Sequence, residues 1–120
     1  MLRVFSYAKI HGATVTEANL TYVGSITIAQ TLLKATGILP RERVQIVNLH
    51  NGTRVETYVL EGKAGSGTIC MNGAAARWAA VGDKILIIAY GFYDLKEAQK
   101  LKQTVVFVDE KNKVRSVKKR

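Results

Sequence analysis

Apolar and polar residues alternate along most of the chain, with the two-residue period of strands that bury one face. Val44 and Ile46 within Arg43–Leu49, then Val55, Thr57 and Val59 within Arg54–Leu60, give the clearest pattern. Between them lies His50-Asn51-Gly52-Thr53, and Asn-Gly favours the positive-φ pair of a tight hairpin turn. Leu2–Phe5, Ala13–Tyr22, Gly67–Met71, Lys84–Tyr90 and Gln103–Val108 predict further strands. Ile85-Leu86-Ile87-Ile88 is uniformly apolar, which predicts burial on both faces. Two helices are expected. Thr27-Ile28-Ala29-Gln30 has capping-box spacing, Ile28, Leu32 and Ala35 form a stripe, and Gly37 and Pro40 close it. Asp94-Leu95-Lys96-Glu97 opens a second, more polar helix ending near Lys102. Gly73–Ala80 suits one or two helical turns. Short, closely spaced strands with little helix favour a small closed barrel over a sandwich.

A chain of 120 residues predicts one domain over 1–120. The net charge of +9 first suggests a nucleic-acid partner. Its distribution weakens that reading. Asp109–Arg120 carries six basic residues against two acidic ones, a net of +4 in a stretch that reads as a frayed, solvated basic tail. One cysteine, Cys70, excludes a disulfide framework and reads as a buried structural thiol. His11 and His50 have no partner at ligand spacing, so no metal site is expected. Gly65-Ser66-Gly67 lacks the Lys-Ser/Thr ending of a phosphate loop and reads as a turn. No apolar run approaches the ~20 residues of a membrane helix, and the N-terminus has no secretory pattern. The expectation is a cytoplasmic protein with no membrane partner.

Tyr22-Val23-Gly24-Ser25-Ile26-Thr27, taken alone, reads as a turn before the first helix. Three further segments change its meaning: Lys9-Ile10-His11, Asn51-Gly52-Thr53-Arg54-Val55-Glu56-Thr57-Tyr58 and Asn72-Gly73-Ala74-Ala75-Ala76. Together, at these separations, they resemble the pyruvoyl-dependent aspartate 1-decarboxylases over about Leu2–Tyr90. The resemblance implies a mainly β fold, a small six-stranded double-psi β-barrel with short helices. It implies a homotetramer with sites between subunits, and conversion of L-aspartate to β-alanine and CO2, feeding pantothenate biosynthesis. It also implies self-cleavage before Ser25, giving chains 1–24 and 25–120.

The chemistry suits the residues. Ser25 Oγ can attack the Gly24 carbonyl, and glycine leaves that carbonyl uncrowded. Elimination of the ester and hydrolysis would turn residue 25 into a covalent pyruvoyl group, so no external cofactor is needed. The substrate amine would form a Schiff base with that ketone. By resemblance, Tyr58 is the proton donor, and a phenol keeps its proton at neutral pH. Arg54 clamps a substrate carboxylate, a task suited to a bidentate guanidinium. Thr57 assists processing and touches substrate, with Gly73, Ala74 and Ala75 as a small-residue wall. Lys9, His11, Tyr22 and Asn72 match positions near the site.

Without the resemblance, Arg54 reads as a hairpin surface cation and Tyr58 as a packed strand aromatic. By strand period, residues 54 and 58 share one face and Thr57 the other, so the site needs a second subunit or a bulge. Asn19 and Val47 depart from the family pattern, where many members have aspartate at the first position and some have tryptophan at the second. A rival expectation is a non-enzymatic basic barrel that stacks nucleic-acid bases on Tyr7, Phe92 and Tyr93.

Overall fold

In the computed structural model, which describes all residues 1–120, the alternation becomes burial strand by strand. The strands are β1 (Arg3–Thr14), β2 (Glu17–Asn19), β3 (Ser25–Ala29), β4 (Arg43–Asn48), β5 (Arg54–Gly62), β6 (Ile69–Asn72), β7 (Lys84–Tyr93), β8 (Thr104–Val108) and β9 (Val114–Lys119). The helices are α1 (Gln30–Thr36) and α2 (Leu95–Lys100), with a 3-10 turn over Gly73–Arg77. The protein is mainly β. The strands form one sheet in the order β2-β6-β3-β5-β4-β7-β1-β8-β9.

Register carries the apolar rows across this sheet. Val106, Ile10, Ile87, Ile46 and Val55 lie side by side from β8 to β5. Ala18, Met71, Ile26 and Val59 do the same from β2 to β5. These rows run through the core, which α1 covers with Leu32 and Leu33. Gly37 ends α1 in the left-handed conformation expected of a helix-closing glycine. Asp94 and Glu97 form the reciprocal capping box at the start of α2.

Several expectations are corrected. Thr27 caps no helix: it lies inside β3, between β5 and β6, and α1 starts after Ala29 with no side-chain cap. Strand partners on both sides outweigh the local capping pattern. The first strand runs unbroken to Thr14, with register shifts after Ser6 and His11, so Ala13 and Thr14 of the expected second strand belong to β1 and only Glu17–Asn19 forms a strand of its own. The 50–53 turn does join a hairpin, but Gly52 alone takes positive φ, in a loop wider than the tight two-residue turn. β7 is not buried on both faces: Ile85 and Ile87 are in the core, while Leu86 and Ile88 face outward half-buried. The basic tail is not frayed, because β9 pairs antiparallel with β8.

Candidate active site

β3 carries Ser25 into the middle of the sheet. Ser25 pairs with Asn72 of β6 on one side. On the other, β3 and β5 run parallel with Ile26 opposite Val59. Carried one residue back, that register sets Ser25 beside Tyr58. Core residues Met71, Ile26 and Val59 fill the next row, so Asn72, Ser25 and Tyr58 share the opposite, outward face. Burial along β5 alternates accordingly: Arg54, Glu56 and Tyr58 are exposed, and Val55, Thr57 and Val59 are more buried.

Ser25 is nonetheless wholly buried, at 0% exposure. Its hydroxyl donates to the Val23 carbonyl at 3.1 Å and accepts from Asn72 Nδ2 at 3.0 Å. Asn72 Nδ2 also donates to Thr27 Oγ1 at 2.9 Å, and Asn72 Oδ1 accepts from Cys70 Sγ at 3.0 Å. Burial pushes the Cys70 thiol up to about 11, and the neighbouring Glu17 carboxylate adds to the shift. The thiol is therefore protonated at neutral pH and can act as the donor. Among these groups no buried polar side-chain atom lacks a partner.

Gly73 follows Asn72 with φ +62°, and a Cβ there would lie 2.6 Å from Gly24 Cα and 2.8 Å from the Tyr22 carbonyl oxygen. Glycine at 73 is what lets the 22–24 segment pack against the turn. Ala74 and Ala75 continue that turn, the first exposed and the second half-buried. Asn19 Oδ1 accepts from the Thr21 backbone and hydroxyl, which closes the loop leading to Gly24. A cleft of about 200 Å³ opens here, lined by Glu17, Asn19, Tyr22, Thr27, Thr68, Cys70 and Asn72.

The other expected residues gather elsewhere on the outward face. His11, Leu86, Val47 and Arg54 form one row across β1, β7, β4 and β5. Lys9, Ile88, Gln45 and Glu56 form the next. Arg54 Nη1 donates to Gln45 Oε1 at 3.2 Å, and the Tyr90 hydroxyl donates to the same oxygen at 2.8 Å. The His11 ring lies 5.3 Å from that of Phe107. Burial, then the charge of Lys9, lowers the His11 pKa, which favours the neutral ring. The chain thus brings together Tyr22, Gly24, Ser25, Thr57, Tyr58, Asn72 and Gly73, and sets Lys9, His11 and Arg54 apart from them. No three His, Cys, Asp or Glu side chains converge as metal ligands.

Two residues of the serine cluster were missed by sequence reasoning in this role: Thr27, read as a helix cap, and Cys70, read as mere packing. The strand spacing Ser25-x-Thr27 was the available signal. Of the aromatics considered as stacking platforms, Tyr7 is half-buried and bonded to Glu42, and Tyr93 meets Phe5 edge-on.

The family model for aspartate decarboxylase matches residues 1–115. An aspartate 1-decarboxylase of Carboxydothermus hydrogenoformans is 60% identical over 110 residues, covering 92% of this chain and 87% of its own. One from Caldicellulosiruptor bescii is 60% identical over 107 residues, covering 89% and 84%. One from Listeria welshimeri is 53% identical over 117 residues, covering 98% and 92%.

Proposed function

The chain belongs to the aspartate decarboxylase family, and we propose that it makes its own catalytic ketone by cutting itself between Gly24 and Ser25. Its reaction is the decarboxylation of aspartate, which releases the α-carboxylate as CO2 and leaves β-alanine. One observation carries the self-cleavage reading. A wholly buried serine directly after a glycine has its hydroxyl held between the Val23 carbonyl and the Asn72 amide. A serine kept only for packing needs no such arrangement.

Ser25 Oγ attacks the Gly24 carbonyl carbon, and the nitrogen of residue 25 leaves and takes up the hydroxyl proton, which gives an ester. Loss of the residue 25 α-proton then expels Oγ with the Gly24 carboxylate. Water hydrolyses the remaining enamine, through its imine tautomer, to a ketone and ammonia. Thr57, which precedes Tyr58 on β5, is the group we assign to the oxyanion of the first step.

A pyruvoyl group at residue 25 would supply an electrophilic ketone for the substrate amine and an electron sink for decarboxylation. The surrounding residues orient and protonate. Tyr58, beside residue 25 by register, gives the proton to the former α-carbon. Arg54 grips the substrate's side-chain carboxylate in two-pronged fashion. Gly73, Ala74 and Ala75 form the wall, with Tyr22 and Asn72 at its edge. Lys9 and His11 share the face of Arg54, so the reading includes a homotetramer in which that face of one subunit meets the serine cluster of the next.

The same reading treats 1–120 as one decarboxylase domain, closed as a six-stranded double-psi β-barrel. Supporting closure, only Val15 and Thr16 separate β1 from β2, and the Thr16 amide bonds to the Ile69 carbonyl at 2.8 Å. The compartment we assign is the cytoplasm, where a lone thiol such as Cys70 stays reduced. No helix is long and apolar enough to cross a membrane.

Ser25→Ala tests the reading, since the Oγ is both the attacking atom and the group eliminated. Intact mass should show an uncut 1–120 chain with no β-alanine production and an unaltered circular dichroism spectrum. Fragments split at 24/25 in that variant, or decarboxylation by it, would overturn the mechanism.

A further inference from the structure

We propose that Thr27 is a positioning residue for the chemistry at residue 25, holding the Asn72 amide so that one N–H always faces that residue. The inference rests on the self-cleavage reading above. Asn72 is 3% exposed, so its amide must find its partners within the protein. Its nitrogen carries two hydrogens and both are used, one on Ser25 Oγ and the other on Thr27 Oγ1. Its oxygen accepts from Cys70 Sγ.

This set selects one of the two amide orientations. A flipped amide would turn Oδ1 toward two hydroxyl oxygens, and both hydroxyls would then have to supply protons to it. The Ser25 proton already lies on the Val23 carbonyl. The flipped nitrogen would meet the thiol, a weak acceptor. Thr27 as acceptor and Cys70 as donor therefore hold the orientation from opposite ends.

The two-residue spacing matters as well. Ser25 and Thr27 sit on the same face of β3, opposite Asn72 and Cys70 of β6. One nitrogen thus reaches both hydroxyls without distorting either strand. When Oγ leaves with the Gly24 carboxylate, the N–H that held it remains aimed at residue 25. The second N–H keeps its bond to Thr27. The same anchor thereby serves cleavage first and turnover afterwards.

The test compares Thr27→Val, which keeps the shape and removes the acceptor, with Thr27→Ser, which keeps the acceptor. Purified precursors are incubated, and the 1–24 fragment is followed by mass against time. The processed proteins are then assayed for β-alanine across aspartate concentrations. Thr27→Val should slow cleavage about tenfold, as for one buried N–H left without a partner. It should lower kcat more than it changes KM, and Thr27→Ser should restore both to within about twofold, since its hydroxyl still accepts. If the valine precursor does not fold, Thr27→Ala against Thr27→Ser carries the same comparison. Wild-type kinetics in Thr27→Val, or a serine variant as slow as the valine one, would overturn the proposal. An unmodified chain that never cleaves would instead overturn the self-cleavage reading on which it stands.

Discussion

A methyl group at position 73 has nowhere to go. Its nearest neighbours would be backbone atoms of Gly24 and Tyr22, all within 2.8 Å, and backbone cannot swing aside like a side-chain tip. The φ of +62° adds a left-handed penalty of about 1 kcal/mol for any residue with a Cβ. Gly73→Ala should therefore push the Gly24 peptide away from Ser25 Oγ. The expected result is self-cleavage slowed by well over tenfold, with a lowered melting temperature, as steric strain at a built turn costs of order 1–3 kcal/mol. Timed mass spectrometry of the precursor beside a thermal melt checks both. A variant that cuts itself at the normal rate would show that the 22–24 segment is free to shift. Gly24 differs: a Cβ there meets only the Asn72 carbonyl at 4.0 Å, so its value lies in the attack on its carbonyl, not in space.

At the scale of elements, the tail is bound by one residue. Asn112, 2% exposed, donates through Nδ2 to the carbonyls of Thr14 and Gly67, and its Oδ1 accepts from the Thr14 amide. It ties the end of β1 to the loop before β6 from the turn between β8 and β9. Asn112→Ala leaves those three backbone groups without this partner, and at φ +60° alanine lacks the tolerance of the left-handed conformation that asparagine has. A loss of about 3 kcal/mol is expected, or roughly 10 °C in melting temperature. Asn112→Gly, which relieves the φ strain alone, should recover only part of it. A melt unchanged by the alanine variant would mean that water replaces the side chain. This clamp was illegible in the sequence, because an asparagine among lysines looks like solvated tail and its partners lie 98 and 45 residues away. The strands around Val44, Ile46, Val55 and Val59 were legible because each carries its own period. The 27–30 segment misled because a local capping pattern says nothing of the two strands that pair with it. Gly24-Ser25 was legible as a site only with its companion motifs. The amide network joining Ser25, Thr27, Cys70 and Asn72 depends on which strands become neighbours, and no local pattern encodes that.

Over the whole molecule the residues of the proposed site fall into two groups. The serine cluster sits at β3 and β6, while Lys9, His11 and Arg54 spread over the far part of the outward face. Arg54 precedes Tyr58 by four residues of extended strand, about 13 Å along β5. Within one chain the Arg54 guanidinium is held by Gln45 Oε1 of β4, on the side of β5 away from residue 25 on β3. Half-buried Leu86 and Ile88 lie between Lys9 and His11 of β1 and Gln45 and Val47 of β4, an apolar stretch suited to a contact between like subunits. If the face of one subunit completes the cluster of its neighbour, two dead variants can rescue each other. Ser25→Ala supplies Arg54 but no ketone, and Arg54→Ala supplies the ketone but no clamp. Co-expressed equally, and assembled as the proposed homotetramer, they would leave about a quarter of the neighbour pairs joining an intact serine cluster to an intact Arg54. Decarboxylation should therefore return to about a quarter of the wild-type rate per chain, from two proteins that are each nearly inactive alone. Purification through different affinity tags confirms that the assayed tetramers are mixed. In a protein whose sites are complete within each chain, every mixed site lacks either ketone or clamp, so mixed tetramers showing no rescue would return Arg54 to its own subunit.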